Sequence, residues 1–232
     1  KFFENVIDES AIENVNISEE LLSFYNSVTN TLLTHEGLLK GKISDDDRKT
    51  ILDGLGMAGS NYRSTIYKQA YSGHKAPIEI KNLKLFLKTT LKYLEHTIDA
   101  NRREDGLYHA YNLMTVKGKS EISIDYLEEM LEGQVAALSS GYVSSSNCLK
   151  LLNALKNSKL FRANQYSYLL YPNKELTGFI NKNIIAAYAV ERSELLQNLL
   201  KEGNSEIIEK DINGKYHFNS NFNNASSLLN AL

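Results

Sequence analysis

Apolar residues return at helical spacing along most of this chain, and that periodicity constrains the fold more than any other feature. Leu21, Tyr25, Val28, Leu32 and Leu39 share one stripe behind Ser18, a favoured helix-capping residue. Ser44 precedes Asp45, Asp46 and Asp47, an acidic first turn that suits the positive end of a helix. Ile51, Leu55, Ala58, Tyr62 and Ile66 then form its face. A third stripe carries Leu83, Leu87, Leu91, Leu94 and Ile98. A fourth carries Leu127, Met130, Leu131, Val135 and Leu138, with Asp125 and Glu128 at capping-box spacing. Shorter helices are predicted over 146–158, 193–202 and 224–231.

Strand signals are few. Leu113–Val116 and Ile122–Ile124 flank a Lys-Gly-Lys turn, and Ile207-Ile208 and Tyr216–Phe218 flank Asn213-Gly214, a favoured hairpin turn. The expected fold is therefore mainly α. It consists of antiparallel helical hairpins, part of an α/α toroid or a helical bundle, with one or two short β-hairpins. One helical domain is expected over 1–232, with 204–232, which includes the Asn-rich stretch 219–224, as a loosely packed end.

Composition excludes several classes. The chain has 232 residues, 42% of them apolar, and a formal charge of −2, so neither disorder nor a basic nucleic-acid surface is indicated. No run of about 20 apolar residues is present to span a bilayer. The one cysteine, Cys148, excludes an intrachain disulfide, fits a reducing cytosol, and sits where packing explains it better than nucleophilic chemistry. Five histidines show no paired spacing, so no metal is expected. The absence of GxGxxG, GxxxxGK[ST] and GxSxG leaves no cofactor or nucleophile motif.

Three segments break the amphipathic pattern. The first, Asn101 to Asn112, packs two guanidinium groups, two carboxylates, an imidazole and two phenols around Gly106. Such a loop suits a polyhydroxylated ligand; it equally suits a solvated helix end closed by Arg–carboxylate pairs. Arg103, Tyr108, His109 and Asn112 are its candidate binding residues. Asp105 is the better acid/base candidate than Glu104, because Gly106 beside it lets the backbone approach a ligand. The second, Phe161 to Asn173, places Gln165 and Tyr168 among further tyrosines, which either line a site or fill gaps between helices. The first two segments are expected to converge on one pocket. The third, Gly56 to Arg63, is rich in small residues, and tight helix packing is its simpler explanation. On the fourth stripe Gln134 is central, predicting a buried amide that either caps a backbone group or faces a cavity. Glu132 lies at the stripe's edge and is the second catalytic candidate.

The stretches NRREDGLYHAYNLM, EMLEGQVAALSSG and FRANQYSYLLYPN resemble parts of large bacterial proteins labelled similar to cellobiose phosphorylase or other α/α-toroid glycoside-active enzymes. The resemblance spans roughly residues 45–185. It implies a helical toroid, a carbohydrate ligand and membership of a longer polypeptide, in keeping with a first residue other than Met. It assigns no catalytic residue. The expected function is a helical module of a glycosidase- or phosphorylase-like protein that binds a saccharide through Tyr/Asn/Arg-rich loops. The alternative is a non-enzymatic helical interaction or scaffold domain.

Overall fold

The computed structural model describes residues 2–9, 11–178, 181 and 183–232. The chain divides into two compact units, Lys1–Asn173 and Lys174–Leu232.

In the first unit, α1 (Phe2–Asp8) precedes a strand-to-helix motif used twice. Strand β1 (Asn14–Ser18) runs directly into α2 (Glu19–Thr34), and β2 (Lys75–Glu79) runs directly into α4 (Ile80–Ala100). The two strands pair antiparallel, from Asn14 opposite Glu79 to Ser18 opposite Lys75. Between them lies α3 (Asp45–Gln69). Both predicted caps form: Leu21 N–H donates to Ser18 Oγ at 3.2 Å, and Asp47 N–H donates to Ser44 Oγ at 3.1 Å. Helices α2 and α3 are antiparallel, since Phe24 stacks on Tyr62 while Thr31 meets Gly54. Close approach is required at Gly54, where a Cβ would lie 2.7 Å from Thr31 Cγ2; at Gly56 it would meet nothing within 4 Å. Helix α4 runs parallel to α2, as Tyr25 Oη donates to the Asn82 carbonyl and Tyr93 Oη to that of Leu32.

The hairpin of β3 (Asn112–Lys117) and β4 (Glu121–Tyr126) packs β4 on α3, burying Ile122 completely. Helices α5 (Leu131–Ser139) and α6 (Ser145–Lys156) follow, then a two-residue ribbon of β5 (Phe161–Arg162) and β6 (Ser167–Tyr168). The loop after α4 drops Leu107 into a cluster with Leu155 and Leu160, and Tyr108 into another with Ala137 and Leu151.

The second unit has a three-stranded antiparallel sheet in the order β7 (Ile184–Ile185), β9 (Tyr216–Phe218), β8 (Ile208–Lys210). Helices α7 (Ala187–Glu191) and α8 (Glu194–Lys201) cover Ile185, Val190 and Ile208, and α9 (Ala225–Leu229) closes the chain. Within the Asn-rich stretch, Asn219 Nδ2 donates to the Ser205 carbonyl at 2.7 Å, and Asn224 forms a capping box with Ser227.

The β8–β9 turn is pinned by Asp211. Its Oδ1 accepts from the N–H groups of Asn213 (2.9 Å) and Lys215 (2.8 Å), and its Oδ2 lies 3.1 Å from His217 Nε2. Chiefly through the Lys215 N–H, these donors hold the carboxyl below its ordinary value of 3.8. Folding thus favours the ionised form. The stabilisation is complete above the unfolded value and fades as pH falls through the lowered folded one. Asp211→Ala is expected to loosen the turn at pH 7 and to matter progressively less as pH falls below the ordinary 3.8, read as amide exchange at Asn213 and Lys215.

The mainly α expectation, an α/α toroid or bundle with one or two hairpins, is corrected. About half of the residues are helical and 16% are in strands, in four small antiparallel sheets among the described residues, so the fold is mixed α/β. The two expected hairpins form as β3–β4 and β8–β9, while β1, β2, β5, β6 and β7 were not foreseen. β5, β6 and β7 are two residues each, too short to show a pattern, and the Val15/Ile17 alternation of β1 spans only five residues beside a strong helical stripe. The fourth helix also starts later than its stripe. Asp125 is paired with Leu113 inside β4, so α5 begins at Leu131 behind Met130, with no side-chain cap.

Candidate functional site

The loop between α4 and β3 is built by local chemistry. Asn101 ends α4, and its carbonyl accepts from His109 N–H at 2.8 Å, closing the loop's base. Arg102 bridges Tyr108, and Gly106, at φ +84°, completes the turn with N–H to the Arg103 carbonyl at 3.1 Å. Across from it stands α5. Gln134, fully buried, clamps the Tyr108 peptide from both sides. Tyr108 N–H donates to its Oε1 and its Nε2 donates to the Tyr108 carbonyl, each at 2.8 Å. The amide predicted to be buried thus caps backbone, with a further bond from Nε2 to the Met130 carbonyl at 2.8 Å. Gly133 lets this happen. A Cβ there would lie 3.1 Å from Ala110 Cβ, Ala110 N and the Tyr108 carbonyl oxygen.

Loop and helix enclose a cleft of about 400 Å³. Thr97, Ile98 and Asn101 of α4 form one wall, Tyr108 to Tyr111 a second, and Glu132, Gly133, Ala136 and Ala137 of α5 a third. Tyr111 Oη donates to Glu132 Oε2 at 2.7 Å, which raises the Tyr111 phenol above its usual value. The His109 ring stacks on Tyr126 at 4.0 Å and 16°. Burial, followed by the Arg103 charge, pushes the His109 imidazole below its ordinary 6.5, so it is neutral at pH 7. A neighbouring basin of about 770 Å³ shares Thr97 and Asn101 and adds Lys40, Lys42, Arg48, His96 and Asn112.

The structure brings together three of the sequence-derived candidates, Tyr108, His109 and Glu132, with Asn112 in the adjoining basin. Arg103 and Asp105 line neither space. They pair with each other: Arg103 Nη2 donates to Asp105 Oδ2 at 2.7 Å, and Nε approaches both carboxylate oxygens at 3.1 Å. Arg103 also lies 3.6 Å from Glu129. The Arg103 hydrogen bonds, with the Leu107 N–H, hold the Asp105 carboxyl below its usual value. Gln165 and Tyr168 sit on the β5–β6 ribbon and line neither space. Sequence reasoning missed Asn101, Tyr111 and Gly133 as lining residues. A glycine one position before a central glutamine on a helix was the available signal.

Among the described residues, no group of three or more His, Cys, Asp or Glu side chains is placed to hold a metal ion. No described helix is long and apolar enough to cross a membrane.

Residues 176–232, within the second unit, match the family model described as GH149 phosphorylase insertion domain 2. That segment is similar to an insertion domain of a phosphorylase. The match overlaps the earlier resemblance only at its end, and it concerns a phosphorylase insertion domain rather than cellobiose phosphorylase. No curated protein matches the chain.

Proposed function

We propose that this chain is a module of a larger carbohydrate-active, phosphorylase-like polypeptide, and that the cleft between α4, the 101–111 loop and α5 binds a saccharide. The observation that carries the reading is the cleft's lining. Two tyrosines and an imidazole flank one carboxylate in a concave space, a combination suited to sugar hydroxyls and the apolar face of a pyranose. The phosphorylase insertion-domain match at 176–232 supports the ligand class.

Among the described residues that line the cleft, Glu132 is the only carboxylate, and Asp105 pairs with Arg103. Glycoside hydrolysis ordinarily needs two carboxylates flanking the bond. The role that suits Glu132 here is therefore acceptance of hydroxyl donors. Any proton transfer by it would need a second group from elsewhere in the protein.

Calorimetric titration of the 232-residue chain with neutral oligosaccharides and with sugar phosphates tests this. Glu132→Gln is expected to weaken binding about tenfold, as removing a charged hydrogen-bond acceptor does. Asp105→Asn should leave affinity within about twofold and lower Tm instead. The opposite pattern would move the site to the Arg103–Asp105 turn.

A further inference from the structure

The β5–β6 ribbon presents a feature the cleft does not use. Its four-residue turn, Ala163 to Tyr166, ends with Tyr166 at φ +49°, a left-handed backbone position that hairpin turns usually give to glycine. A tyrosine there is strained, and such residues persist where surrounding structure holds them for a purpose. Burial is not that purpose, since Tyr166 is 77% exposed.

The ring is nevertheless held. It packs edge to face with Phe161, centroids 5.6 Å apart at 82°, and Lys156 Nζ sits 5.8 Å from its centroid. Phe161 in turn packs across the ribbon on Tyr168, at 5.3 Å. The result is an exposed, supported aromatic surface. Asn164 and Gln165, both exposed on the same turn, stand beside it with amide donors and acceptors. A rigid ring with only two side-chain torsions loses little entropy on binding.

We propose that the β5–β6 turn is a second saccharide platform, separate from the cleft, on which the Tyr166 ring takes the apolar face of a pyranose while Asn164 and Gln165 reach its hydroxyls. The ligand class rests on the saccharide reading above; the location does not.

The test uses the 232-residue chain and neutral oligosaccharides, comparing Tyr166→Gly and Glu132→Gln alone with Tyr166→Gly and Tyr166→Phe each combined with Glu132→Gln, by calorimetric titration. Glycine favours the positive φ, so Tyr166→Gly removes the ring while keeping the turn, and Tm should stay within about 3 °C. In the Glu132→Gln background, Tyr166→Gly is expected to weaken the remaining saccharide binding at least tenfold, and Tyr166→Phe to preserve it. Residual binding unchanged by Tyr166→Gly overturns the platform and leaves the cleft standing. Binding lost in Tyr166→Gly but untouched by Glu132→Gln supports the platform and overturns the cleft. No saccharide binding by the parent chain overturns the ligand class for both.

Discussion

Gln134→Leu is expected to lower the stability of the chain by about 3 kcal/mol, with a fall in Tm of roughly 6–12 °C. Leucine matches the glutamine closely in bulk, so lost volume is not the cause. The loss comes from Tyr108. Its N–H and C=O are both bonded to the Gln134 amide in a region where Gln134 is 0% and Tyr108 6% exposed. An apolar replacement leaves two buried backbone groups without partners, each costing about 1–3 kcal/mol. Because the same peptide shapes one wall of the cleft, saccharide affinity should fall with stability. Urea unfolding with an unchanged m-value would report the loss as one of stability alone. A change under about 1 kcal/mol would mean that Gln134 is not what holds the loop.

Much of the helical framework was legible, for reasons that also explain what was not. Helices α2, α3 and α4 are amphipathic, and two begin at serine caps, so periodicity and end signals agree. The β1–β2 ribbon carries no such agreement. Asn-Val-Asn-Ile-Ser pairs with Lys-Ala-Pro-Ile-Glu through backbone bonds between segments far apart in the chain. Val15, Ile17, Ala76 and Ile78 do alternate, but five residues are too few to fix which distant segment they pair with, and Pro77 argues locally against a strand. Among site residues, Tyr108, His109 and Glu132 were legible as chemistry and come together as geometry. Arg103 and Asp105 were legible only as charges. Two residues apart across a tight turn, they pair with each other outside the cleft. How closely the two polar segments meet depends on tertiary packing rather than on local spacing: Leu107 packs on Leu160 and Leu131 N–H donates to the Leu170 carbonyl at 2.8 Å, while Gln165 and Tyr168 do not line the cleft.

Gly133→Val should be the second most damaging substitution, at about 2–3 kcal/mol, and it should also close the cleft. Helix propensity alone argues the other way, since glycine is the poorest ordinary residue in a helix interior. Packing decides the sign. A Cβ at this position already sits 3.1 Å from Ala110 Cβ, Ala110 N and the Tyr108 oxygen, and two of these are backbone atoms. The Tyr108 oxygen is further pinned by Gln134 Nε2, so the loop can yield only by breaking that bond. Alanine should fall between, because its propensity gain of up to about 1 kcal/mol offsets part of the overpacking. Gly56 supplies the contrast. It too lies within a helix, α3, but its Cβ would meet nothing within 4 Å, so Gly56→Ala should stabilise by roughly 0.5–1 kcal/mol. Denaturant unfolding of the four proteins would separate the two effects. Gly133→Val as stable as the parent would show that the 108–110 loop is free to move away from α5, and the cleft would then lose its fixed wall.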